Sequence, residues 1–213
     1  MYWEQVKNDK LKMIGVMACL IIFSAIAYFV VNNEVLTIDM VILEKVNGLR
    51  TESLTIFLRL ITYMANWQFI TLICIPMLVY PKTSKSLGFP LSISALLSAF
   101  AYSLLKSFFQ RIRPDIAFHL INQGGYSFPS GHSMTGLLFY GMLIYLLRKR
   151  LLVENKNRAI ANLLTALFSF LVFLIGISRI YLGVHYPTDV LAGWSLGLAF
   201  LLLITPLIAP KIT

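Results

Sequence analysis

AIANLLTALFSFLVFLIGIS, residues 159–178, runs twenty positions without a charge and stops directly at Arg179. At ~1.5 Å per residue such a helix spans about the hydrocarbon thickness of a bilayer. The same reading applies outward along the chain. Met13–Asn33, Leu60–Pro81, Ser86–Leu105, Ile116–Leu147 and Val190–Pro210 also lack charges. All but one of the six runs are 20 to 22 residues long. The exception, Ile116–Leu147, starts with a Gly- and Ser-containing segment, so its membrane part is expected to begin near Ser130. These runs predict an all-α fold: an integral membrane bundle of six transmembrane helices, forming one domain over residues 1–213.

Composition supports this. The 213 residues are 58% hydrophobic, with a mean hydropathy of +0.79. Charges punctuate the spans. If the N-terminus lies inside, eleven Lys and Arg fall on the inner side, among them Lys10, Lys12, Lys82, Lys85, Arg148, Lys149, Arg150, Lys156, Arg158 and Lys211. Seven fall outside: Lys45, Arg50, Arg59, Lys106, Arg111, Arg113 and Arg179. The bias predicts that orientation. It also accounts for the net charge of +9 by anionic lipid at the inner rim, so no nucleic-acid partner is expected. Cys19 and Cys74 fall inside spans and read as apolar packing. Ala25-Ile26-Ala27 resembles a signal-peptidase site, but the apolar run continues through Val31 and favours an uncleaved first span.

Between the spans, Glu34–Arg59 is too polar to cross a membrane. Ile38, Ile42, Val46 and Leu49 recur at helical spacing, which predicts one or two short interfacial helices between spans one and two. They either cover the bundle or border the substrate entrance. Gly193 and Gly197 form a G-x-x-x-G that suits close packing inside the bundle, or a dimer seam. Nothing in the pattern sets an oligomeric state.

Three polar blocks sit at the ends of apolar runs, all on the expected outer side. Lys106 is followed seven positions later by Arg113-Pro114, a spacing that predicts one helix face two turns apart, with Pro114 ending the helix. Taken alone, the pair also suits ordinary snorkelling. Pro129-Ser130-Gly131-His132 precedes the apolar run Met134–Leu147. Ser130 is suited to cap that helix, whose free amides would favour an anion, and Gly131 would let it approach the backbone. Simple capping explains Ser130 but not His132. The third block is Ser178-Arg179, then His185 and Asp189. Pro187 suits the first turn of the last helix. Asp189 there either holds one nitrogen of His185 and frees the other to attack, or only offsets the helix dipole. His119, Arg111 and Asp115 read as a loop histidine and surface charge balance.

These blocks, together with Tyr181-Leu182-Gly183-Val184-His185-Tyr186-Pro187 and Asp189-Val190-Leu191-Ala192-Gly193, resemble the type 2 phosphatidic acid phosphatase superfamily over roughly Ser86 to Pro210. The length resembles its small bacterial membrane members. The resemblance implies a lipid phosphatase. Lys106, Arg113 and Arg179 would bind phosphate with Ser130 and the Gly131 backbone. His185 would be the nucleophile that forms a phosphohistidine, Asp189 would orient it, and His132 would protonate the leaving oxygen and later activate water. Vanadate should occupy the site. Family analogy ranks phosphatidylglycerophosphate first as substrate, then undecaprenyl diphosphate, then phosphatidic acid. Positioned cations suit the spread charge of a phosphoryl group in transfer. No cluster of Asp and Glu stands outside to hold Mg²⁺, so no metal or other cofactor is expected, and activity should persist in chelator. The expected partners are the lipid phosphate substrate and membrane lipids, at a multi-pass site facing the extracytoplasmic side of the cell membrane. An anion or lipid transporter would need charges at mid-depth, which the spans lack. A scaffold with a decayed site is opposed by the completeness of the blocks.

Overall fold

The structure, a computed structural model, describes residues 2–33, 35–153 and 157–209, so Glu34, Lys156, Pro210 and Lys211 lie outside the described residues. Among those described, the chain is helical and has no strand. Helix α1 (Tyr2–Asn33) is followed by α2 (Thr37–Asn47), α3 (Glu52–Tyr63), α4 (Trp67–Val79) and the single turn α5 (Pro81–Thr83). A π-helical turn (Ser84–Gly88) leads into α6 (Phe89–Phe109), and α7 (Gly131–Val153), α8 (Arg158–Tyr181) and α9 (Pro187–Ile208) complete the bundle.

Four helical segments are long and apolar enough to cross a membrane: Asp9–Asn33, Pro81–Phe109, Arg158–Tyr181 and Pro187–Ile208. Helices α3 and α4 together give a fifth, but as a broken span bent by 44°. The uninterrupted span expected over Leu60–Pro81 is therefore interrupted at residues 64–66, where Met64 and Ala65 close the end of α3 and Asn66 restarts the helix as the cap of α4. The sixth is α7, which has the length, at 23 residues, but is not apolar enough to stand alone. Its position explains this. Helices α6, α8 and α9 pack around α7, and Met134, Leu138, Phe139 and Met142 are fully buried. A helix screened from lipid by its neighbours has no need of an apolar surface all round. Helix α8 is the opposite case, with only 17% of its most apolar window buried.

The G-x-x-x-G on α9 faces α7. A Cβ on Gly193 would lie 2.6 Å from the Ser130 carbonyl oxygen, and one on Gly197 would lie 2.9 Å from that of Met134. The two backbones meet there because neither position carries a side chain. Cys19 and Cys74 are buried and unpaired, as apolar packing requires.

One local expectation fails. Lys106 and Arg113 do not share a helix. Helix α6 stops at Phe109, and Gln110 takes a left-handed conformation (φ 49°), a geometry that ends helices. An irregular linker then carries Arg113, so Pro114 is not the terminator. On α2 the buried residues are Asp39 and Leu43, with Ile42 and Val46 packed beside them, whereas Ile38 and Leu49 are exposed. The helix is turned to bring an acidic side chain inward, which apolar spacing alone does not reveal.

Candidate active site

The C-terminal ends of α6 and α8 and the N-terminal ends of α7 and α9 meet at one end of the bundle. The three sequence blocks lie there, around a cavity of about 310 Å³. Its lining includes Lys106, Arg113, Gly131, His132 and His185, along with Asn66, Gln68, Tyr102 and Gln123. The lining holds no carboxylate.

His185 sits in the turn between α8 and α9. That turn is tight because Gly183 adopts φ +73°, and a Cβ there would fall 1.9 Å from the Phe118 carbonyl oxygen. Only glycine meets both demands. Arg50 fastens the same corner by donating to the carbonyls of Phe118 (2.7 Å) and Tyr181 (2.8 Å). His185 Nδ1 faces Asp189 Oδ2 at 3.3 Å. A carboxylate can only accept, so the proton is on Nδ1 and the lone pair on Nε2. Arg113 donates to that Nε2 from 3.2 Å. Burial, then the charges of Lys106, Arg113, Arg179 and His132, push the His185 imidazole well below its usual range. The ring is thereby held neutral at neutral pH.

The three cations are held by neutral acceptors. Lys106 donates to the Tyr126 carbonyl (2.7 Å). Arg113 donates to the carbonyls of Gly124, Gly125, Tyr126 and Val184. Burial brings its guanidinium down to about 10, still fully charged at neutral pH. Arg179, 1% exposed, donates to Thr62 Oγ1 and Gln123 Oε1, both at 2.8 Å. Its Nε has no hydrogen-bond partner among the described residues. A buried N–H on a cation left in this way costs free energy until an acceptor arrives.

His132 Nε2 lies 2.5 Å from Asn66 Oδ1, and the break between α3 and α4 supplies that acceptor. Ser130 caps α7 as expected, its Oγ accepting from the Ser133 amide at 3.4 Å, but it is fully buried and does not line the cavity. Gly131 does line it, and the space a Cβ would take there is filled by the Tyr102 ring at 3.2 Å. His119 is a loop histidine bonded to the Pro114 carbonyl, and Asp115 caps the 3-10 turn Ile116–Phe118 through the Ala117 amide.

Arg111 is not surface charge. It is 5% exposed and makes ion pairs of 2.6 Å with Asp189 Oδ1 and 2.7 Å with Asp39 Oδ2. The sequence reading also missed Asp39, Asn66, Thr62 and Gln123. These partners come from distant segments, and among them only Asp39, an acid set among the apolar residues Ile38, Met40 and Val41 of α2, left a signal. Among the described residues no group of three or more His, Cys, Asp or Glu could hold a metal.

The PAP2 superfamily pattern matches residues 87–212. This chain belongs to that superfamily. Phosphatidylglycerophosphatase B of Bacillus subtilis is 42% identical over 101 residues, 47% of this chain and 48% of that protein. An undecaprenyl-diphosphatase of Sulfolobus acidocaldarius is 30% identical over 129 residues, 57% of this chain and 54% of that one. The alignments span about half the length of these curated relatives. The crystal structure of the transmembrane PAP2-type phosphatidylglycerolphosphate phosphatase from Bacillus subtilis superimposes with a TM-score of 0.78 at 31% identity, covering 90% of this chain and 94% of that one. The PAP2 chain is thus an all-helical, multi-pass membrane protein.

Proposed function

We propose that this PAP2 protein is a lipid phosphatase that cleaves a phosphate monoester or diphosphate head group at the outer leaflet through a phosphohistidine, without a metal. The carrying observation is the charge arrangement. Lys106 and Arg113 line one small cavity that holds no carboxylate, and Arg179 is hydrogen-bonded to Gln123 in its wall. Cations gathered this closely repel one another, and a phosphate dianion relieves that repulsion.

The phosphate binds against the three cations and displaces Arg113 from the His185 lone pair. Nε2 of His185 attacks phosphorus, forming a P–N bond as the P–O bond to the leaving group breaks. Asp189 stabilises the positive ring. His132 takes part as the imidazolium, which the arriving phosphate dianion favours, and its Nε2 proton, directed at rest to Asn66 Oδ1, passes to the leaving oxygen. His132 then removes a proton from water. The water oxygen bonds to phosphorus, the P–N bond breaks, and inorganic phosphate leaves. Such acid–base assistance contributes roughly 10²–10⁴-fold.

Phosphatidylglycerophosphate is the favoured substrate, on the strength of the relatives from Bacillus subtilis. Undecaprenyl diphosphate is the second reading, favoured by the Sulfolobus relative. Phosphate release in detergent from these two lipids and phosphatidic acid, with and without chelator, tests both the activity and the ranking. No release from any of them overturns the proposal, and loss of release in chelator overturns its metal-free chemistry. A pulse with labelled lipid phosphate, quenched in alkali and digested, should leave the label on the peptide containing His185. Reactivity of single cysteines near residue 124 with an impermeant thiol reagent on intact cells tests the outward orientation.

A further inference from the structure

Behind His185, away from the cavity, lies a closed ring of buried charge that the chemistry above uses only through Asp189. Asp39 on α2, Arg111 on the linker after α6, and Thr188 and Asp189 at the start of α9 form it. All four are buried. Arg111 Nη1 donates to Asp189 Oδ1 (2.6 Å) and to Thr188 Oγ1 (2.8 Å), and Nη2 donates to Asp39 Oδ2 (2.7 Å). Asp39 also accepts from the Thr188 amide (3.0 Å) and hydroxyl (2.7 Å). An acid from another helix thus caps the first turn of α9. The Arg111 guanidinium lies 4.2 Å from the centre of the Tyr186 ring, which covers it.

The two oxygens of Asp189 are divided by this ring. Oδ1 goes to Arg111, and Oδ2 to His185 Nδ1 and the Tyr186 amide. Arg111 alone would neutralise Asp189 and leave little negative charge for a developing imidazolium. Asp39 offsets Arg111, so the three charged groups keep one net negative charge, next to the nucleophile. We propose that Asp39 and Arg111 are positioning residues that set the orientation and the charge of Asp189, and through it the tautomer and basicity of His185. The proposal rests on His185 being the nucleophile.

Simple fastening of α2 onto α9 would be the bland alternative, and charge separates the two. His185 is faced by Lys106 from α6, Arg113 from the linker, His132 from α7, Arg179 from α8 and Asp189 from α9. None of these changes in the test. Arg111→Gln makes the ring more negative and should raise the acid limb of the kcat/KM profile by about one pH unit. Asp39→Asn makes it less negative and should move the limb down. The double variant restores the net charge, so its limb should return to the wild-type position while kcat stays low. In both single variants kcat should fall on the order of 10-fold, less than removal of an orienting carboxylate causes. Arg111→Lys keeps the charge but loses the two-pronged geometry, so kcat falls without a limb shift.

The measurement uses full-length protein in detergent with dioctanoyl phosphatidic acid, and thermal unfolding of each variant reports folding. Limbs that stay in place, or that move the same way in both single variants, overturn the proposal. So does failure of Arg111→Gln, Arg111→Lys and Asp39→Asn to fold, which would make the ring a purely structural fastening. A wild-type protein that releases no phosphate fails the parent reading instead, and ¹⁵N-histidine titration of His185 in the same variants then decides the positioning claim without turnover.

Discussion

The two ends of this bundle handle charge in opposite ways. At one end Lys82 and Lys85 lie exposed at the start of a span, and Arg148 reaches only to Asn162 and Thr165 on the neighbouring helix. At the other end Arg111 and Arg179 are buried, and Lys106, Arg113 and Arg179 are held by carbonyl, amide and hydroxyl oxygens. The first arrangement is solvation at a membrane rim, which tolerates change. The second is preorganisation, in which each donor is aimed before any ligand arrives. The same residue types therefore carry very different weight at the two ends.

Substitution at His185, the proposed nucleophile, should break this contrast most visibly. His185→Asn removes the only imidazole paired with Asp189 and should cut phosphate release by on the order of 10³-fold or more, while leaving thermal unfolding in detergent close to wild type. Retained turnover would place the chemistry elsewhere. Arg179→Lys comes next. It keeps the charge but cannot serve Thr62 and Gln123 together, so kcat/KM should fall on the order of 10²-fold. An unchanged rate would move Arg179 into the class of rim charges.

Acidity sharpens the comparison. His185 is held neutral by burial and surrounding cations, so its folded pKa lies below its unfolded value. At pH values above about 6.5 both states leave it neutral and it has no effect on stability. Below that, the unfolded chain binds a proton that the folded chain refuses, so stability falls as pH drops toward the folded pKa. Thermal unfolding between neutral and mildly acid pH should show this slope, and it should be shallower in His185→Asn. Turnover by the wild type should persist below pH 6.5 before its acid limb appears.

Packing gives a smaller effect. Gly197→Leu forces α9 away from α7 and should destabilise by about 1–3 kcal/mol, with activity falling in parallel because Ser130 and Asp189 are joined backbone to backbone. The smallest effect belongs to the opposite end. Lys82→Ala and Lys85→Ala should leave activity within about twofold of wild type. A larger loss would show that the exposed end contributes to the site.

Apolar run length made the spans legible in the sequence, because lipid exposure selects for it. The three blocks were legible because each is short and sits where a span ends. What was not legible arises from pairing between distant segments. Asp39 and Arg111 are 72 positions apart, and no periodicity marks a buried ion pair. The break at residues 64–66 contains neither glycine nor proline and became visible only when Asn66 met His132. The end of α6 was misplaced because Pro114 is an obvious stop signal, whereas the real one is a left-handed Gln110.

One further consequence follows from α1 lying along α9 and from Asp39 capping the first turn of α9. Helices that leave the ribosome far apart in time are neighbours. No nascent fragment lacking α9 holds Asp189, so the contact that orients His185 forms only once α9 has been inserted.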